Sequence, residues 1–326
     1  MTKFVGIAEE TTYGTPVTAS EWIDINSESV NPDHAWIDVE TAGSRALMNR
    51  IPGPYRVSGD IVYVVNPDNI TKMLKWLCGS VTTSDDGGSP AVAYKHEFTA
   101  PSSSIKSFTL EISPDVGNQS RQIAGCAVRS LAFDAPEARG IVSVTATILG
   151  QKETLITPST PTFSTLRPFA FFDGSLKVAG SEIADAEAFS ITLENDIPDD
   201  VHVLGSRFLP GIRLQGFTVT GSMDVAFTSW DLYKRFFGSA TATGPQVIPE
   251  TVSIELTLTG DETGSSVTGF ENYQLKIEIP KATLDSSEAN IDSRSRIVQS
   301  LGFTGLYDPT SGYAAKITVV NKNSEP

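Results

Sequence analysis

Residues 43–59 read "GSRALMNRIPGPYRVSG", and residues 205–221 read "GSRFLPGIRLQGFTVTG". Each opens on Gly-Ser-Arg and reaches a glycine sixteen residues later, and a shift of 162 residues lays one stretch on the other. Tyr55 then meets Phe217, Val57 meets Val219, and Ile61 meets Met223. A repeat of this length is the first thing a fold reading has to explain, because each copy implies one structural unit.

The agreement continues past the glycines. "VSGDIVYVV" places Val57, Ile61, Tyr63 and Val65 on one face, with Ser58, Asp60, Val62 and Val64 on the other. "FTVTGSMDVAF" places Phe217, Val219, Met223, Val225 and Phe227 on one face, with Thr218, Thr220, Ser222, Asp224 and Ala226 opposite. Period-two alternation between an apolar and a small polar face predicts half-buried antiparallel strands. "DNITKMLKWLCGS" (68–80) and "SWDLYKRFFGS" (229–239) then predict short amphipathic helices, each stopped by a Gly-Ser pair. Further alternating runs follow in each half: "SFTLEIS" and "IVSVTATIL", then "VSIELTLTG" and "YQLKIEI".

The expected class is therefore mainly β: two tandem sandwich or barrel domains, each with a short flanking helix and a long hairpin loop. Residues 151–168, rich in Pro, Ser and Thr and without periodicity, predict a linker. The division expected is an arm at 1–16, a first domain at 17–150, the linker at 151–168 and a second domain at 169–326.

The two long loops mix apolar side chains (Leu47, Met48, Ile51; Phe208, Leu209, Ile212) with arginines (Arg45, Arg50, Arg56; Arg207, Arg213). A solvated loop has no need of Phe and Leu. Two readings are open: the loops dock on a partner, or they fold back over their own domain.

A net charge of −15 argues against a protein that grips nucleic acid through phosphates, which needs a basic stripe. No run approaches the ~18 apolar residues of a membrane-spanning helix. The opening "MTKFVGIAEE" has no apolar run behind its lysine and does not read as a secretory signal. Cys78 and Cys126, without metal-ligand or redox spacing, read as buried thiols, a disulfide between them staying open. His34, His96 and His202 stand in unrelated contexts, and Asp85-Asp86 and Asp199-Asp200 read as solvated turns. Neither a catalytic motif nor a cofactor motif is present, so an enzyme is not expected.

The opening "GIAEETTYGTPVTASEWIDINSESV", with Gly6, Glu9 and Tyr13-Gly14-Thr15-Pro16, resembles the start of bacteriophage tail tube proteins, also called major tail proteins. The "GSR" stretches, the glycine strands, the helices ending in Gly-Ser and "PFAFFDGSLKVAG" (168–180) add to the resemblance, which touches most of the chain. It departs from the simplest members, which have one tube domain.

The resemblance implies rings of six tube domains, stacked into a tube, with strands of neighbouring domains joined in one inner barrel. Three duplicated chains could then close a ring of pseudo-sixfold symmetry. The small polar strand faces would line the bore, carrying Asp60 and Asp224, and by the same parity Asp38, Glu40, Glu194 and Asp196. Arg45, Leu47, Arg50, Ile51, Arg56, Arg207, Phe208, Leu209 and Arg213 would reach the next ring. The implied partners are further copies of the chain, other tail proteins such as the tape measure and tail terminator, and DNA passing without specific binding. No membrane, metal or other cofactor is implied. The implied location is the virion tail, assembled in the host cytoplasm. Two other classes stay open: a free-standing adhesin or carbohydrate-binding module, which would be monomeric with an aromatic platform, and an enzyme, which would need a clustered acid or metal site.

Overall fold

Alternation in the sequence becomes an extended antiparallel network in the computed structural model, which describes residues 3–135, 140–291 and 296–326. The first half begins with β1 (Phe4–Glu9), β2 (Glu21–Ile23), β3 (Ser27–Glu28) and β4 (Asn31–Asp33). Next come β5 (Ile37–Val39), β6 (Asn49–Ile51), β7 (Arg56–Val64) and the helix α1 (Thr71–Cys78). After α1 run β8 (Ser80–Asp85), β9 (Tyr94–Ala100), β10 (Phe108–Val116), β11 (Gln119–Ala135), β12 (Ser143–Gly150) and β13 (Lys152–Ile156). The second half has β14 (Gly174–Val178), β15 (Ser181–Glu182), β16 (Ala186–Asn195), β17 (Phe217–Ala226) and the helix α2 (Asp231–Phe236). It closes with β18 (Val252–Glu262), β19 (Asn272–Glu288), β20 (Val298–Gly305) and β21 (Ala315–Asn321).

The pairing order of the first half recurs in the second. β1 pairs β2 and β10, as β14 pairs β15 and β18. β10 pairs β11 as β18 pairs β19. The long strands β11 and β19 each continue into further ladders: their first parts pair β13 and β21, their last parts pair β12 and β20. β7 pairs β12 and, on its other edge, β3 and β4; β17 pairs β20 and β16. The registers agree with the 162-residue shift, for Asp60 lies opposite Thr147 and Ser222 opposite Gly302.

The two halves also join each other. The last part of β11 pairs β16, so β7, β12, β11, β16, β17, β20 and β19 form one seven-strand run. β21 pairs β9, which brings the β8–β9 hairpin of the first half beside the second. A single buried core draws on β1, β7, β10, β12, β16, β17 and β19 together.

The repeated motifs have matching local physics. The hydroxyls of Ser44 and Ser206 each accept the amide two residues on, from Ala46 (3.1 Å) and Phe208 (3.1 Å). That is the turn-forming use of serine. Gly59 and Gly221 sit mid-strand on the core side. A Cβ on Gly59 would land on the Ser29 carbonyl, and one on Gly221 on the Ser190 carbonyl and the Phe303 ring.

The segments expected as arm and linker carry strands. β1 lies within residues 1–16 because "FVGIAE" is almost wholly buried and completes the ladder to β10. β13 lies within residues 151–168, pairing the first part of β11. The loop after β1 is held by Glu10, a buried carboxylate. It accepts the amides of Gly14 (2.9 Å) and Gly125 (2.8 Å) and the hydroxyls of Ser107 (2.7 Å) and Thr109 (2.9 Å). Four donors satisfy the charge that burial would otherwise penalise.

Candidate functional site

The seven-strand run has two chemically opposite faces. Val57, Ile61 and Tyr63 of β7, Leu131 and Phe133 of β11, and Ile191 and Leu193 of β16 enter the core. The other face is written in small hydroxyls. One cross-strand row reads Val62, Thr145, Ala132, Thr192, Thr220, Thr304, Thr283 across the seven strands. The next reads Val64, Ser143, Asp134, Ser190, Ser222, Gly302, Ser286. Threonine suits an exposed pleated face because its branch fits the strand while its hydroxyl stays wet.

Carboxylates punctuate this face and are tied down by the hydroxyls. Thr147 Oγ1 donates to Asp60 Oδ1 at 2.7 Å, and Thr283 Oγ1 to Asp285 Oδ1 at 2.9 Å. Ser300 donates to Asp224, and Thr304 to the other oxygen of Asp285. Ser190 and Ser222 bond to one another at 2.9 Å. The bonds to Asp60, Asp224 and Asp285 fix these acids along the sheet. At one end of the run, Arg56 meets Asp199 (2.5 Å) and Asp33 (3.5 Å), and Arg129 lies 3.9 Å from Glu194. Both cations therefore stand beside acids.

Asp60, Glu194 and Asp224 share this face, and Asp196 follows the same parity one residue beyond β16, exposed. Asp38 and Glu40 do not belong to it. Asp38 is on a separate two-stranded ribbon, β5 with β6, ion-paired to Arg50 at 2.8 Å, and Glu40 follows at its exposed end. The chain leaves the sheet after β4, so strand parity carried back from β7 does not reach them. Asp134, Asp285 and Glu288 share the acidic face and were legible as the polar positions of "LAFDA" and "TLDSSE".

The two long loops part company. Residues 34–55 project as the β5–β6 ribbon, with Trp36, Ile37, Leu47, Met48 and Ile51 all exposed. Arg45 is exposed, while the Arg50 guanidinium lies 5.5 Å from the Trp36 ring centre. Residues 196–216 fold back in part, with Val203 and Leu204 exposed. Leu209 is buried with Ala127, Leu149 and Ile197, so it is already spent within the chain and does not offer a buried contact to a neighbour. Phe208 packs edge-on to Tyr55 (5.8 Å), and Arg207 Nε donates to the Gly53 carbonyl at 2.8 Å. This loop thus buttresses the base of the ribbon, and Arg56 and Arg207 serve that joint. Arg213 is exposed.

Cys78, Cys126 and His96 are buried away from this face. Burial pushes the Cys78 thiol up to about 12, and Cys126 is likewise raised by burial; both are free thiols. His96 is buried between Thr83 (2.9 Å) and Asn321 (3.1 Å), and burial lowers its pKa.

The chain is thus β-rich, with repeated pairing, an exposed ribbon and one long hydroxyl and carboxylate face. The model of the family described as phage tail tube protein matches residues 2–305, and the chain belongs to that family. A search of curated proteins returned no match. Family membership makes this a structural component of a phage tail, of a kind that self-assembles with other tail proteins.

Proposed function

We propose that this chain carries two tube domains, the first about 17–150 together with β1 and β13 and the second about 169–326, and that three copies close a ring of pseudo-sixfold symmetry. Rings stacked by one repeated head-to-tail contact extend as an open filament. The acidic, hydroxyl-rich face lines the bore, and DNA leaves the virion through it. The observation that carries this reading is the seven-strand face of Ser, Thr and acids, whose Thr145 and Ser143 rows contain no Lys or Arg. DNA carries about one charge per 1.7 Å of axis. A basic wall would hold it by releasing counterions, and an apolar wall would be poorly wetted. An acidic wall with small hydroxyls stays hydrated and repels phosphate, so DNA slides.

The ribbon at 34–55 reaches the neighbouring ring, covering Leu47 and Ile51, with Arg45 free to pair an acid across the joint. The tube ends meet the tape measure and tail terminator proteins, and assembly takes place in the host cytoplasm.

The test is a virion carrying Asp60→Lys and Asp224→Lys. Neither side chain enters the core, so tails should assemble, and DNA ejection should slow in low salt and recover as salt screens the new charges. Ejection at the wild-type rate in low salt rejects the bore assignment. Mass measurement of isolated rings decides their stoichiometry: six chains per ring rejects the trimer and keeps the tube.

A further inference from the structure

The joint between the two halves is built from edges that recur, uncovered, at the outer ends of the chain. Within the chain, the last part of β11 pairs β12 on one side and β16 on the other. Its counterpart, the last part of β19, pairs β20 alone among the described residues. Among the described residues, the strand β16 pairs both β17 and β11, whereas its counterparts β3 and β4 pair β7 alone. Among them too, the strand β21 pairs β19 and β9, whereas its counterpart β13 pairs β11 alone. Each of these edges satisfied inside the chain thus has an open twin among the described residues, and open edges recruit strands.

The helices show the same imbalance. α1 is enclosed by this joint. Asn195 Nδ2, at the end of β16, donates to the Leu77 carbonyl (2.8 Å), and Asn321 Nδ2, at the end of β21, to the Pro67 carbonyl (3.1 Å). α2 has no such cover: Trp230 is 59% exposed and Leu232 is its one buried residue among the described ones. Phe227, Trp230, Tyr233 and Phe237 form a chain of edge-on rings. The segment behind them is pinned by Gln246 N–H to the Phe237 carbonyl (2.8 Å) and leaves Val247 and Ile248 bare. Between the helix and the matching strand, β10 or β18, the first half has residues 79–107, with the β8–β9 hairpin, and the second only residues 237–251. The in-chain outer ladder β9–β21 therefore has no strand to repeat it.

We propose that the half-buried aromatic face of α2, with the exposed Trp230, Val247 and Ile248, is the seat for β13 of a second copy of this chain. In the same joint, β19 pairs the β3–β4 edge of that copy. This rests on the ring reading above and adds where and how the copies meet. Superposing the halves sets the register: Glu288 falls opposite Asn31 of the next copy, as Ala132 does opposite Thr192 within the chain. Joints alternate around the ring, laddered in both layers inside a chain, laddered in one and packed by aromatic rings in the other between chains.

The test joins Asn31→Cys with Glu288→Cys. Directly opposed residues of an antiparallel pair stand about 5 Å apart at Cβ, close enough for oxidation to bridge them. Cys78 and Cys126 are buried and give little background. Oxidised assemblies of the double variant should run as covalent multimers, and the two single variants as monomers. Trp230→Asp chains should fold with unchanged circular dichroism yet fail to form rings. Wild-type-like tubes from Trp230→Asp, or assembled double-variant tubes without cross-links, overturn this inference and leave the ring reading intact. Wild-type protein that stays monomeric overturns both.

Discussion

α1 and α2 answer to the same sequence pattern and occupy the same place in the pairing order, yet their surroundings are opposite. Trp76 of α1 is fully buried and stacks on Phe108 with ring centres 4.1 Å apart. Trp230, at the start of α2, is mostly in solvent. An amphipathic pattern states that a helix has an apolar side; it does not state whose surface covers it. For α1 the cover is in the same chain. For α2 no such cover is found among the described residues, and the exposed Trp230 marks that difference.

The largest effect should come from testing the helices directly. Trp76→Ala should cost about 4 kcal/mol in urea unfolding of the isolated chain, while Trp230→Ala should change stability by no more than about 0.5 kcal/mol. Equal costs at the two tryptophans would erase the contrast. The entries to the two halves offer the next test. Glu10→Ala strands four buried donors and should cost about 3 kcal/mol or more. In the second half, Arg167 clasps Asp173 from a more exposed position (2.8 and 3.1 Å). Arg167→Ala should cost only about 1 kcal/mol.

Gly59→Ala and Gly221→Ala probe the likeness rather than the contrast. Each puts a methyl against a neighbouring carbonyl, that of Ser29 or of Ser190, so each should lower the urea midpoint by an equivalent of about 1–3 kcal/mol. A neutral substitution at either would show that the two glycines do different jobs.

The smallest effect concerns the clamp on α1. Glu9 is partly desolvated, which raises its pKa. Hydrogen bonds and charge from Lys106 and Lys75 outweigh that and hold it below its ordinary 4.5. A depressed carboxylate stabilises the fold above its unfolded pKa and loses that contribution as pH falls through the folded one. Wild type should thus exceed Glu9→Gln by about 0.5–1 kcal/mol at pH 7. The gap should close below pH 4.5. A gap that persists at pH 3 would mean that packing, not charge, holds Lys75 of α1 to β1.

Much of the fold was legible because its signals are local. Alternation in "VSGDIVYVV" and "FTVTGSMDVAF" follows from the pleat, and Gly79 adopts the left-handed conformation (φ 72°) that its place after α1 suggested. The face carrying Asp60 and Asp224 was readable for the same reason: period two leaves an acid beside Ile61 or Met223 nowhere else to point. Parity failed at Asp38 because it holds only within one strand, and the chain departs from the sheet between Asp33 and Ile37. Nothing local separates Leu47 from Leu209. Both are apolar residues in arginine-bearing loops, but one projects on a ribbon and the other is buried against Ala127 and Leu149, residues far away in sequence.

Periodicity and glycine spacing alone determined that the chain is antiparallel β, that it repeats, and that one face of its repeated strands is hydroxylated and acidic. These properties arise from backbone geometry acting over a few residues. Tertiary structure decided which edges are closed. The β11–β16 and β9–β21 ladders join residues whose partners no local rule names, and they are what encloses α1 and leaves α2, β13 and the end of β19 open. Pairing of distant strands depends on which surfaces meet after the chain collapses, and that information is spread over the whole sequence.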